Sequence, residues 1–248
     1  MKQTNCWSLM ILSGVMALGV SACTVTRTWQ YPPNPPGTLL NAKSTKTIPA
    51  TVAVLPLRDL RGQSEERGSW VVAFPLVPYG VSTFDRPETT KDAWGHDLIH
   101  MDPSRDFAKA IVSELQNASI FSSVALADSA TAKPDFVLSG TLRSTNWRRS
   151  LTTYGLGPVG PFFWILGAPM GNATNTVAMD LQLSPATDPT RAVWQFSMTF
   201  EDTHLIGVYY GMEESVENYS EAVQDALKPA IANLVKIATE RPEIFQVK

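Results

Sequence analysis

Two short stretches of strictly alternating character do most to limit how this chain can fold. Val177, Met179, Leu181 and Leu183 alternate with Ala178, Asp180, Gln182 and Ser184, and after a loop holding Pro185 and Pro189, Trp194, Phe196, Met198 and Phe200 alternate with Gln195, Ser197, Thr199 and Glu201. Successive side chains of a strand point to opposite faces, so this pattern predicts two antiparallel strands with one face buried and one in water. Two helices with apolar faces are available to cover the buried one. The first begins at Asp102-Pro103-Ser104, carries Phe107, Ala108, Ile111, Val112, Leu115 and Ala118 at helical spacing, and ends near Ser119. The second runs from Val216 to about Glu240, with Tyr219, Val223, Ala226, Leu227, Ala230, Leu234 and Val235 on one face and a bend expected at Pro229.

The remaining strands are shorter. Thr51-Val-Ala-Val-Leu-Pro-Leu57 is a continuous apolar run, as in a strand buried on both faces; Phe121 to Ala127 and Phe136 to about Arg149 are two more. Residues 58 to 68 hold six charged side chains and two glycines and read as an exposed loop, and Pro75 and Pro78 argue against a regular element between Ser69 and Phe84. The order β-α-β-β-β-β-α predicts an α+β fold: a two-layer sandwich, mainly antiparallel, with two main helices on one face of the sheet. At 248 residues and 44% hydrophobic content the chain can build one sizeable core. Its 20 Lys and Arg against 23 Asp and Glu leave no basic excess for a phosphate backbone, so nucleic acid is not expected as a partner.

The N-terminus reads as an address. Lys2 precedes an apolar stretch from Trp7 to Val20, about 14 residues where crossing a bilayer takes about 20, so a secretory signal is expected rather than a membrane span. The stretch ends in Val20-Ser21-Ala22-Cys23, which resembles the bacterial lipobox. The resemblance implies transfer of a diacylglyceryl group to the Cys23 sulfur, cleavage after Ala22, and acylation of the new amino group. Several acyl chains would make the attachment effectively permanent, where one would be reversible. Both cysteines, Cys6 and Cys23, fall within these residues, so no disulfide framework or Cys-based zinc site is expected in the body of the protein. Thr24, not Asp, follows the cysteine; by the sorting tendency of such lipoproteins this implies the periplasmic face of the outer membrane, or the outer face of the membrane in a host that has only one. The expected organisation is a signal peptide over 1–22, a lipidated cysteine and Pro-rich tether over 23–47, including Tyr31-Pro-Pro-Asn-Pro-Pro-Gly37, and one periplasmic domain over 48–248.

The lipobox, the proline-rich stretch, the strand Val52-Ala-Val-Leu-Pro-Leu57, the helix end Leu115-Gln-Asn-Ala-Ser-Ile-Phe121 and the segment Asp135-Phe-Val-Leu-Ser-Gly-Thr-Leu142 together form a layout that resembles periplasmic lipoproteins similar to the amino-terminal domain of the Tol system's propeller protein and to the curli secretion lipoprotein. That fold is related to anticodon-binding domains, and the likeness covers roughly residues 50 to 142. It implies a non-catalytic envelope adaptor or assembly factor that contacts other envelope proteins and in some cases itself. The auxiliary lipoprotein of lipid-handling ABC transporters has a similar layout, and an oligomeric secretion-pore subunit is a further alternative.

Few side chains suggest chemistry. His96 and His100 are four apart beside Asp92, Asp97 and Asp102, a spacing that would serve a metal-dependent hydrolase if the segment were helical, but Gly95 and Pro103 weaken that and a solvated polar loop is the expectation. No cofactor is expected beyond the covalent lipid. No Gly-x-Ser-x-Gly elbow, P-loop, His-Glu-x-x-His or dinucleotide fingerprint occurs, and Arg143, Arg148 and Arg149 could at most bind an anionic group. The unusual segment is the apolar loop at 154–171, inside residues 150 to 179, which contain no charge. Its glycines and prolines disfavour helix and central strand, so Phe162, Phe163, Trp164, Ile165 and Leu166 are expected to meet a partner, a second copy or the membrane, unless the loop folds back over the core.

Overall fold

The computed structural model describes residues 27–33, 38–62, 66–72, 78–84, 89–91, 97–127, 133–211 and 219–246. In chain order the elements are β1 (Arg27–Thr28), β2 (Ile48–Val54), β3 (Arg58–Asp59), β4 (Glu66–Val72), β5 (Pro78–Phe84), β6 (Thr89–Lys91), β7 (Asp97–His100), α1 (Pro103–Ala118), β8 (Phe121–Leu126), β9 (Phe136–Ser144) and β10 (Trp147–Leu151). There follow a 3-10 turn at Gly157–Val159, α2 (Gly160–Ile165), β11 (Gly171–Pro185), β12 (Trp194–Ile206), α3 (Tyr219–Glu240) and a 3-10 turn at Pro242–Phe245.

The predicted antiparallel pair is the spine of the molecule. β11 and β12 pair along their whole length, with Val177 opposite Phe200, Met179 opposite Met198, Leu181 opposite Phe196 and Leu183 opposite Trp194, so the two apolar rows coincide. The other edge of β11 is shared. Its C-terminal half pairs with β9 and its N-terminal end with β10, and only Thr145 and Asn146 separate those two strands. Beyond β9 the sheet continues through β2 to β8, and beyond β10 through β5 to β4, so two limbs share one ribbon.

The sheet is mixed, not mainly antiparallel. β2 pairs in parallel with both β8 and β9, and β3 in parallel with β9. The cause is α1, which carries the chain from β2 across to β8; parallel strands need such a crossover, whereas the alternation of β11 and β12 informs only about that pair. α1 starts where Asp102 accepts from the Arg105 amide and Pro103 occupies the first turn, and it ends at Ser119 in the left-handed region (φ 53°). It packs on β8 and β2, while α3 packs on β11, β12 and α1. Phe107, Ile111, Leu115, Leu138, Leu142, Met179, Leu183, Leu227 and Leu234 form the centre of the shared core.

Three further expectations change. The charged stretch 58–68 is not all loop: it holds β3 and the start of β4, and Arg61 is buried, its guanidinium bound to the Asp59 carboxylate at 2.9 Å and donating to the Thr145 hydroxyl at 2.8 Å. Between Ser69 and Phe84 a β4–β5 hairpin forms, since Pro78 stands at the first position of its strand, where a missing N–H is tolerated; residues 73–77 lie outside the described residues. The stretch expected as a tether, where described, lies on the domain. Trp29 is buried and stacks on Tyr31 and against Phe107, each at 5.8 Å, and the Ser44 amide donates to the Ala118 carbonyl at the end of α1. Glu114, fully buried, accepts from the Tyr31 hydroxyl and from the Leu40 amide at 3.0 Å. Burial, with Glu114 beside it, holds the Tyr31 phenol well above its ordinary pKa. Proline content discourages regular structure there, not docking, and Trp29, Tyr31 and Leu40 supply the apolar surface.

Candidate functional site

Most of the exposed large apolar side chains among the described residues fall in the segment between β10 and β11 and in the turn at the end of β12. Between Leu151 and Gly171 the chain makes a 3-10 turn and then α2, with Pro161 in the first turn. A helix therefore forms where glycine and proline content disfavoured one; it is only six residues long and is held from below. Trp164 is the reason. Its ring is buried and its Nε1 donates to the Thr152 carbonyl at 2.9 Å, so it anchors the helix to the end of β10. This corrects its expected place among the contact residues. Gly160 sits over Thr153 so closely that a Cβ would lie 2.3 Å from its carbonyl oxygen.

With Trp164 turned inward, the opposite side faces water. Val159, Phe162, Phe163 and Leu166 follow the i, i+3, i+4, i+7 spacing of one helical face, and all four are exposed, Leu166 by 67% and Phe162 by 59%; Ile165 beside them is 60% exposed. Tyr154, itself half exposed, meets Phe163 edge to face at 6.3 Å.

A second segment, which sequence reasoning did not single out, completes the platform. After β12 the chain turns back at Gly207–Gly211, where Gly211 takes φ 74° and a Cβ would strike the Leu205 carbonyl. This places Tyr209 and Tyr210 beside the end of α2, and both are exposed, as are Val208 in the turn and Leu205 at the end of β12. The Tyr209 hydroxyl donates to the Ile165 carbonyl at 2.9 Å and that of Tyr210 to the Gly167 carbonyl at 3.3 Å, so two phenols satisfy carbonyls at the helix end. The available sequence signal was an aromatic pair in residues 203 to 211, whose sole ionisable side chain of acid, base or histidine type is His204.

The other candidates do not assemble. His100 ends a strand, so residues 97–100 are not the helical turn that a four-residue metal spacing needs; His96 and Cys23 lie outside the described residues. Among the described residues no group of three His, Cys, Asp or Glu side chains is placed to hold a metal ion. Arg148 and Arg149 are neighbours on a strand and face opposite ways, the first exposed and the second buried, while Arg143 is paired with Asp180 at 2.9 Å. The three arginines therefore form no single anion site.

No protein-family model matches the chain, and no curated protein does. Among solved structures, a Xanthomonas campestris protein of the DUF330 family is similar over 88% of this chain and 97% of its own, at TM-score 0.42 and 11% identity. The PelC dodecamer from Paraburkholderia phytofirmans is similar at TM-score 0.34 and 14% identity over 79% of this chain and 96% of its own. A lipoprotein from Neisseria meningitidis is similar at TM-score 0.34 and 13% identity over 75% and 99%. Likenesses at this level assign the chain to no family. Among the described residues no helix is long and apolar enough to cross a membrane.

Proposed function

We propose that this chain is a lipid-anchored envelope lipoprotein that works by contact and not by catalysis, an adaptor or assembly module held by the lipid on Cys23. In a host with two membranes its place is the periplasmic face of the outer membrane. The observation that supports a contact role is the platform: five exposed apolar side chains on and beside α2 are held in fixed positions by Trp164 beneath them and by the Tyr209 and Tyr210 phenols at the side. Leaving such a surface in water forgoes burial of roughly 1.5 to 3 kcal/mol for each side chain, and large exposed apolar patches on folded proteins mark contact sites. The role needs no cofactor or metal. Metabolic labelling with palmitate tests the anchor: the parent protein incorporates label and the Cys23→Ser variant does not. Undiminished labelling of that variant would contradict it.

A further inference from the structure

We infer that the platform's occupant is the bilayer itself: α2 and its neighbours lie in the membrane surface that the lipid on Cys23 enters. This rests on the proposed lipidation of Cys23.

The topology puts both at one end of the molecule. The Leu57 amide, just past β2, donates to the Ser104 carbonyl in the first turn of α1, so the C-terminal end of β2 and the start of α1 coincide. β9 runs parallel to β2, and β11 runs antiparallel to β9 with Met179 opposite Leu142, so the N-terminal half of β11 extends past that end to the platform. The chain enters there too. Trp29 packs on Phe107 near the start of α1, and the Gln30 carbonyl accepts from Ser220 in the first turn of α3. Beside Ser220, the Tyr219 hydroxyl donates to the Thr145 carbonyl, next to Asn146, whose carbonyl accepts from the Thr176 amide of β11.

The lengths agree. From Thr176 to Gly171 β11 rises about 17 Å, and the six residues separating Cys23 from Trp29 span at most about 20 Å. The lipid and the platform can therefore reach one plane.

The chemistry favours lipid over a protein partner. Protein interfaces surround an apolar centre with a polar rim, charged groups included, whereas residues 150 to 179 hold no Asp, Glu, Lys or Arg, and the nearest acid on β12, Asp202, is paired with His204. The outward row at Val159, Phe162, Phe163 and Leu166 is what a helix lying in the interface presents, and tyrosines such as Tyr209 are side chains that settle at headgroup level. The carbonyls of Ile165 and Gly167 already accept hydrogen bonds, which lowers the cost of removing them from water. Since several acyl chains suffice for attachment, the platform's effect is to set the orientation of the domain, presenting the rest of the sheet to the periplasm in a fixed attitude.

The test uses the processed lipoprotein with Leu166→Cys, labelled with an environment-sensitive fluorophore and reconstituted into phosphatidylethanolamine and phosphatidylglycerol vesicles with plain or brominated acyl chains. Thr187→Cys, exposed in the β11–β12 connection at the other end of the ribbon, is the control; Ile165→Cys repeats the measurement at a second exposed position. The label at 165 or 166 is expected to shift to the blue and lose most of its emission to brominated lipid, while the label at 187 does neither. If the protein floats with the vesicles but the platform label stays unquenched, the inference is overturned: a label in water means a free surface, and a blue-shifted label insensitive to bromine means a second copy or another protein covers it. If the protein does not float and Cys23 itself takes up the fluorophore, the lipidation has failed and the inference falls with it.

Discussion

Trp164 lies in α2 and Leu166, two positions on, caps its end, and the two have opposite environments, 6% and 67% exposed. Composition could not separate them, since both are large and apolar in a segment without charge. What separates them is the angle between successive residues of a helix, and that angle is known only once the six residues are known to be helical. The difference is measurable. Trp164→Ala removes the ring that fills the space beneath α2 together with its bond to the Thr152 carbonyl, and it is expected to cost about 3 to 5 kcal/mol in denaturant unfolding. Leu166→Ser removes a side chain already in water and should change stability by no more than about 0.5 kcal/mol. Equal losses for the two would show that the outward row belongs to the core.

Elements whose evidence is local were readable from the sequence. α1 announces itself by Asp102 and Pro103 at its start and an apolar row at helical spacing, and β11 and β12 by alternation. Elements defined by distant partners were not. β4 and β5 carry no clean alternation and a proline, and they exist because β10 offers an edge to which β5 pairs. Trp29 and Tyr31 sit in a stretch that reads as tether because its prolines are local, while the surfaces that receive it, Phe107 and Glu114, are over seventy residues away. Gly140 shows the same dependence on distant contact. It sits on β9 where β11 and Leu57 close in from two sides, and a Cβ would lie 2.6 Å from the Asp180 carbonyl and 2.8 Å from the Leu57 and Leu181 methyls. Gly140→Ala should therefore push β9 from β11 and destabilise by about 1 to 3 kcal/mol in thermal or denaturant unfolding. An unchanged midpoint would mean the two strands can part there without loss.

At the scale of the whole molecule, the long ribbon of β11 and β12 joins two regions with different tasks. Its C-terminal half is locked into the core by β9 and α3; the start of β11 and the end of β12 carry the platform. The division follows from side-chain chemistry, since the alternating row from Val177 to Leu183 needs a covered face, while the segment from Gly155 to Gly171 has no alternation and uses α2 to sort its apolar groups into inside and outside. The most direct check on a protein that works through this surface is site-specific photocrosslinking in living cells, with a photoreactive residue at Phe162 in one strain and at Thr187 in another. Adducts to lipid are predicted at Phe162, and none at Thr187. The absence of adducts at Phe162, or an identical pattern at both positions, would contradict a contact role for the platform.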